Sequence, residues 1–311
     1  MRPRAQATPR SAVSDQASVV AALAAASRWT AERHVEEQAF VETEAGRIFT
    51  TAFRPRGPAR AAGFLLCHSF AWEQAELYAL ELLFARTAAA AGFPVLSFQA
   101  TGYGDAGGDF ADVTLETMVR DAVAAAALLA SWEEVQNLVP VGARLGASVA
   151  VMMASRIGAS GVALWNPSLE PGRYLDGLLK VKSMAGMMDG AGGARLGALK
   201  AELLAGGTVD LIGHPLTAAC YREAHASDPL AAVPVPARAL LVAVNPAARR
   251  QVDRASERLS DAGATVRIED AEGEGRSAFG LGMPLSGHLA TNRTLFEDIA
   301  RRTIAWAEES W

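Results

Sequence analysis

Arg144 has the chemistry that is hardest to place. It lies in "VPVGARLGAS", residues 139–148, where a β-branched run enters a Gly-x-x-x-Gly turn and a helix of small residues follows. A guanidinium keeps its proton, with a pKa above ~12. It is neither a base nor a nucleophile. It grips a carboxylate with two N–H donors or neutralises an oxyanion. Above a helix N-terminus, which is already positive, a cation is disfavoured by roughly 0.3–1 kcal/mol. Positive stacked on positive calls for an anion, and Glu73, Asp105 or a substrate would supply it. A salt bridge closing an inert site is the plain alternative.

Three residues are candidates to move a proton. His68 ends the apolar run "AAGFLLCHSF" and either lines a pocket, as base or donor, or packs against its own loop. Glu73 lies five residues on. It pairs with Arg144, acts as a base, or caps a helix expected to start near Ala75. His288 precedes the last helix, with Thr291 as the expected cap. It is the general base if the 271–287 loop folds back to the strand ends, and a surface histidine otherwise. Ser69 is a minor candidate for a displaced nucleophile. Ser148, one turn into the small-residue helix, should face away from the mouth. His34, His214 and His225 have no convergent neighbours in the sequence.

These side chains need a frame, and the chain supplies an alternating one. "QAFVETEAGRIFTTAFRP" reads as a hairpin turning at Ala45-Gly46. "AAGFLLCHSF" suits a strand buried on both faces. The helical pattern "ELYALELLFARTAAAAG" stops at Gly92. The strand "PVLSFQA" and the glycine-rich "TGYGDAGGD" follow. Thr114 is the expected N-cap of "LETMVRDAVAAAALLASW". "NLVPVG" is a strand, a helix starts near Leu145, and "GVALWNPS" is another strand. Residues 169–230 are glycine-broken helical fragments. Then "ARALLVAV", "RQVDRASERLSDAG", "TVRIED" and "TLFEDIARRTIAWAEE" resume the alternation. Such alternation predicts an α/β class with a mostly parallel sheet and helices on both faces. The division expected is a tail with a short helix over 1–37, a core over 38–168 and 231–311, and a helical lid over 169–230.

This order resembles the α/β-hydrolase superfamily over residues 38 to 309. "CHSF" sits where that family has its His-Gly oxyanion loop, "GYGDAGGD" resembles its Gly-x-Gly-x-Ser loop, "GARLGA" occupies its nucleophile elbow, and helical lid material follows "LWNP". The motifs G-x-R-L-G-A, L-W-x-P and "IGHPL" resemble the exosortase-system-associated hydrolases and relatives in biosynthetic gene clusters. The resemblance implies an α/β-hydrolase fold with a serine where Arg144 stands. It implies an acid after "ARALLVAV", where Asn245-Pro246 stands with Asp253 further on, and a histidine after the last strand, matched late by His288. It also implies an oxyanion hole from the backbone N–H groups of Phe70 and Leu145. Such a hole is backbone and survives loss of the serine. Asp105 takes the family's usual serine place in the glycine loop, more often a structural position.

Composition bounds the rest. The chain has 311 residues, half of them hydrophobic, and a net charge of −5, which gives no basic surface for nucleic acid. No apolar run reaches the ~18 residues of a membrane span. A basic then alanine-rich N-terminus faintly outlines an export signal, but polar residues and an acid interrupt it. The cysteines, Cys67 and Cys220, fit reduced thiols of a cytosolic protein better than a disulfide. The sequence has no phosphate loop and no metal-ligand cluster, so no cofactor is expected. The expected partner is a small ester or carboxylate, with a homodimer left open. The function expected first is a non-covalent enzyme, a lyase that eliminates a carboxylic acid such as acetate in natural-product biosynthesis. Some biosynthetic relatives, the acetate-eliminating lyases of spirotetronate pathways, make that class reasonable. An esterase or thioesterase with a relocated nucleophile, and a non-catalytic pseudo-hydrolase, are the alternatives.

Overall fold

A computed structural model describes residues 28–30, 32–43, 46–188, 195–231, 234–244, 246–272 and 293–311. Among these residues the frame is a nine-stranded sheet. The first strands are β1 (Arg28–Thr30), β2 (His34–Thr43) and β3 (Gly46–Pro55). β2 and β3 form the expected antiparallel hairpin, from Thr43 opposite Gly46 to His34 opposite Pro55. The sheet therefore begins upstream of residue 38. β1 lies within the stretch expected to be tail, and it pairs antiparallel with β2, Arg28 opposite Glu37. His34 and Glu36, also within the stretch expected to be tail, are buried and hydrogen-bonded to each other.

The parallel part is built from β4 (Ala62–Cys67), β5 (Val95–Gln99), β6 (Asn137–Ala143), β7 (Gly161–Trp165), β10 (Arg238–Ala243) and β11 (Thr265–Asp270). The strand order is β1-β2-β3-β5-β4-β6-β7-β10-β11. Every residue of β4 is buried, as its unbroken apolar run requires. Its side chains alternate between two cores. Phe64 and Leu66 pack on the side of α1 (Trp72–Ala90) and α8 (Arg293–Ser310). Leu65 and Cys67 pack on the side of α2 (Leu115–Ala130) and α3 (Leu145–Ile157). Thr114 caps α2 as expected, with Thr117 completing a reciprocal capping box.

Two helices start earlier than their periodicity suggests. α1 begins at Trp72, so Glu73 lies inside its first turn and is not its cap; the cap position is Ala71, without a side-chain hydrogen bond. α7 (Pro246–Asp261) begins at a proline, whose fixed φ suits the first helical position. Between β7 and β10, the described residues of 169–230 include α4 (Pro171–Met188), α5 (Leu196–Leu204) and α6 (Ala218–Ala226). They also form a two-stranded ribbon, β8 (Thr208–Asp210) with β9 (Pro215–Thr217), where helical fragments alone were expected. Three-residue strands are too short to give a readable alternation. The short helix expected near the N-terminus and the 273–292 segment, with His288 and Thr291, lie outside the described residues.

Candidate active site

Two sharp turns bring two helix N-termini to the C-terminal edge of the sheet. Between β6 and α3, Arg144 has φ 53 and ψ −118. Between β4 and α1, Ala71 has φ 54 and ψ −135. Positive φ in a residue with a side chain costs of order 1–3 kcal/mol. The glycines of Gly-x-x-x-Gly make the first turn sterically possible. A Cβ at Gly142 would collide with the carbonyl oxygen of Gly146, and one at Gly146 with the carbonyl oxygen of Cys67. The α3 helix thus enters against the β4 loop at a separation only glycine allows. The turn is held by Arg144 N–H donating to Trp165 O at 3.2 Å and Ser168 N–H donating to Arg144 O at 3.0 Å.

The Arg144 side chain is mostly enclosed, 12% exposed, and meets Glu73, 10% exposed. Its Nε donates to Glu73 Oε1 and Oε2 at 3.4 and 3.3 Å, and its Nη2 donates to Oε1 at 3.3 Å. Glu73 Oε2 also accepts from Ser69 Oγ at 3.1 Å and from Tyr174 OH at 2.8 Å. Tyr174, from α4, offers its ring to the guanidinium at 5.5 Å. Burial disfavours the Arg144 cation, but Glu73 chiefly, with Tyr174 and Glu76, raises its pKa above the ordinary value. Burial and the Glu73 charge push the Tyr174 hydroxyl well up, so it stays protonated and donates. The anion that Arg144 calls for is therefore, in the first instance, Glu73. A carboxylate in the first turn of α1 also faces a positive helix end.

Glu76 belongs to the same cluster and was not singled out from the sequence. It lies three residues after Glu73 on the same helix face. Burial first, and then the Glu73 charge, push its carboxyl up to about 7 against the opposing pull of Arg144. An E-x-x-E spacing on a helix beside a cation was the available signal. Tyr174 gave none, since 101 positions separate it from Glu73.

His68 goes elsewhere. Its Nδ1 meets Glu81 Oε2 at 2.5 Å and its Nε2 meets Ser97 Oγ at 3.2 Å. It lines a cleft of about 280 Å³ between α1 and strands β2, β3 and β5. Ser69, its neighbour, faces the Arg144 cluster. Asp105 also lines the cleft, and its backbone N–H donates to Gln99 Oε1 at 2.6 Å. The expected pairing of Asp105 with Arg144 is therefore not what the structure forms. The glycine loop turns its Asp105 backbone toward β5.

The remaining candidates are placed as follows. Phe70 is buried with its ring 5.4 Å from that of Phe110. Leu145 is the first residue of α3. Ser148 is buried and donates to Ser168 O at 2.6 Å. Asp253 is bound to Arg249 along α7 at 2.7 Å. Cys67 and Cys220 are free and buried. Burial raises both thiols, and Glu81 raises Cys67 further, so neither is a ready nucleophile. Among the described residues, no group of three or more His, Cys, Asp or Glu is disposed to hold a metal. No described helix is long and apolar enough to cross a membrane.

No protein-family model matches the chain, and no curated protein matches it in sequence. Solved structures do match in shape. Est1E from Butyrivibrio proteoclasticus with ferulic acid bound aligns at TM-score 0.58 and 14% identity, over 86% of this chain and 98% of its own. An esterase of Pyrococcus furiosus aligns at TM-score 0.57 and 12% identity, over 88% of this chain and 91% of its own. An α/β hydrolase from Vibrio vulnificus aligns at TM-score 0.50 and 15% identity, over 93% of this chain and 85% of its own. At such identities the likeness is one of fold. The chain has the α/β-hydrolase fold, with an arginine at the tip of the turn between β6 and α3.

Proposed function

We propose that this protein is an enzyme that uses the α/β-hydrolase frame without a serine nucleophile at the elbow. Its substrate is a small molecule bearing an ester or a carboxylate. Its reaction is a lyase reaction, the elimination of a carboxylic acid such as acetate. The resemblance of its short motifs to biosynthetic-cluster hydrolases favours a role in natural-product biosynthesis. Two buried free thiols favour the cytosol. The inserted 169–230 segment serves as the lid, since its Tyr174 reaches the Arg144 cluster.

The observation that carries the reading is the charge arrangement at the elbow. A guanidinium occupies the nucleophile's place with its Nε–Nη2 edge fixed by Glu73. Its Nη1 is then left to meet a departing carboxylate. Glu76, one turn along α1 from Glu73 and near enough to Arg144 for their charges to interact, is the base, and its carboxyl, pushed up to about 7 by burial, suits proton transfer near neutral pH. His68, expected as a base here, is directed to another cleft. In the step, Glu76 takes a proton from the carbon next to the ester-bearing carbon. The C–H electrons form the alkene, the alkyl C–O bond breaks, and the carboxylate leaves onto Arg144.

The test uses 4-nitrophenethyl acetate in oxygen-18 water, because its benzylic proton is acidified. Elimination yields 4-nitrostyrene and acetate with both oxygens light. Acyl hydrolysis yields 4-nitrophenethyl alcohol and acetate with one heavy oxygen, and that outcome overturns the lyase reading.

A further inference from the structure

The cleft on the far side of α1 holds an arrangement that the elbow lacks. Ser97 Oγ lies 3.2 Å from His68 Nε2, and His68 Nδ1 lies 2.5 Å from Glu81 Oε2. A hydroxyl, an imidazole and a carboxylate stand in the order of a nucleophile, its base and the group that orients the base. The three come from three elements: Ser97 from the middle of β5, His68 from the end of β4, and Glu81 from α1. Glu81 is 3% exposed and His68 8%, so the base and its orienter are fixed inside the fold. Ser97 is half-buried and lines the cleft of about 280 Å³, which is large enough for a small ester.

The geometry points to a second, hydrolytic site in this cleft, with Ser97 as nucleophile, His68 as base and Glu81 as the residue that positions the imidazole, acting on small carboxylic esters. Helical periodicity keeps it apart from the elbow. On α1, Glu73 grips Arg144 and the Glu76 charge acts on it, while Gln74, Tyr78 and Glu81 line the cleft. At the end of β4, His68 turns to the cleft and Ser69 to Glu73. Gln38 and Gln74 also line the cleft, and a side-chain amide is the kind of N–H donor that a developing oxyanion needs.

The step balances with water as the only co-reactant. Ser97 Oγ bonds to the ester carbonyl carbon and its proton passes to His68 Nε2. The bond from that carbon to the alkoxy oxygen breaks, and His68 returns the proton to the leaving alcohol. Water then attacks the acyl-serine and gives a proton to His68. The acid leaves, and Ser97 recovers its hydroxyl. Burial opposes the His68 imidazolium, but the Glu81 charge and hydrogen bond outweigh it and raise the pKa above 6.5. The other charged or titratable groups on the cleft are Tyr78 and Arg86 from α1, Glu36 from β2 and Asp105 from the glycine loop.

The experiment is covalent labelling with a fluorophosphonate probe, read by intact mass and peptide mapping. One adduct is expected, on Ser97, absent in Ser97→Ala and slowed at least 100-fold in His68→Gln. Ser131→Ala, on the exposed end of α2, labels like the native protein. The labelling rate rises with pH through one ionisation above 6.5. Thermal melting of each variant separates lost chemistry from lost fold. No adduct on natively melting protein, an adduct at another residue, or an adduct that persists in Ser97→Ala overturns the proposal. The elbow reading is judged separately, on release of 4-nitrostyrene, which this probe does not report.

Discussion

At the scale of single residues, Arg144 and Glu73 stand or fall together. Each is shielded from water, and each is the other's principal counter-charge. Taking one partner from a buried pair leaves an uncompensated charge and typically costs about 3–5 kcal/mol. Arg144→Ala should therefore lower stability by about that much in urea unfolding, and not merely abolish activity. The double variant Arg144→Met with Glu73→Gln should lose less than the sum of its single changes. Additive losses would show that the pair is not coupled. Arg144→Lys should recover little, because an ammonium cannot reproduce the side-on grip on Glu73. Glu76 gives a prediction in pH. Its folded-state carboxyl titrates near 7, above its ordinary 4.5. The folded protein therefore holds this proton more tightly than the unfolded chain. The resulting stability is complete below pH 4.5 and is lost as pH rises through about 7. Glu76→Gln should flatten that decline when urea midpoints are compared from pH 4.5 to 8. If Glu76 is the base, elimination runs the opposite way, rising with pH through about 7. The same variant should then slow it by roughly 10²–10⁴-fold.

At the scale of elements, the sequence was most legible where one physical pattern dominated. The burial of β4 on both faces, the limits of β11, the start of α3 near Leu145 and the Thr114 cap were all readable from burial pattern or turn chemistry. Element starts without a side-chain signal were not. α1 is entered through Ala71 at positive φ, and nothing in "SFAWE" announces such a turn. The elbow glycines were legible as a frame, and their reason is now steric. Gly146 sits where α3 touches the carbonyl of Cys67. Gly146→Ala should force α3 away from β4 and destabilise by about 1–3 kcal/mol, the usual cost of overpacking. It should also disturb Arg144, two residues away in the same turn. Thr114→Ala is the contrasting case. It removes the cap of another helix, a side chain that bonds only within its own capping box, and should cost about 1 kcal/mol in stability, with no effect on either site. Equal effects of the two changes on the elbow would remove the argument that the glycine frame positions Arg144.

At the scale of the molecule, the candidate site was half legible for a topological reason. Arg144, Glu73 and Ser69 were visible because the β4 and β6 loops adjoin whenever β4 pairs with β6. Ser97, Glu81 and Tyr174 were not. Their meeting depends on β5 lying beside β4, on the roll of α1 about its axis, and on α4 folding back over the strand ends. Ser97 showed only as one of two polar residues in "PVLSFQA", with Gln99, and both line the cleft. The closing helix α8 bears on both sites indirectly, since it packs against α1, which carries Glu73, Glu76 and Glu81. One buried bond ties α8 to the sheet: Trp165 Nε1 on β7 donates to Thr303 Oγ1 at 3.0 Å, across 138 positions. Thr303 Oγ1 in turn donates to Ile299 O at 2.9 Å. Thr303→Val keeps the shape and removes the acceptor, which leaves a buried indole N–H unpaired. That should cost about 1–3 kcal/mol. Because the hydroxyl serves global closure and touches neither cluster, 4-nitrostyrene release and Ser97 labelling should be unchanged well below the melting temperature. Should either readout fall while the folded fraction stays complete, α8 would have to be setting the position of α1, and the two sites would be coupled through it.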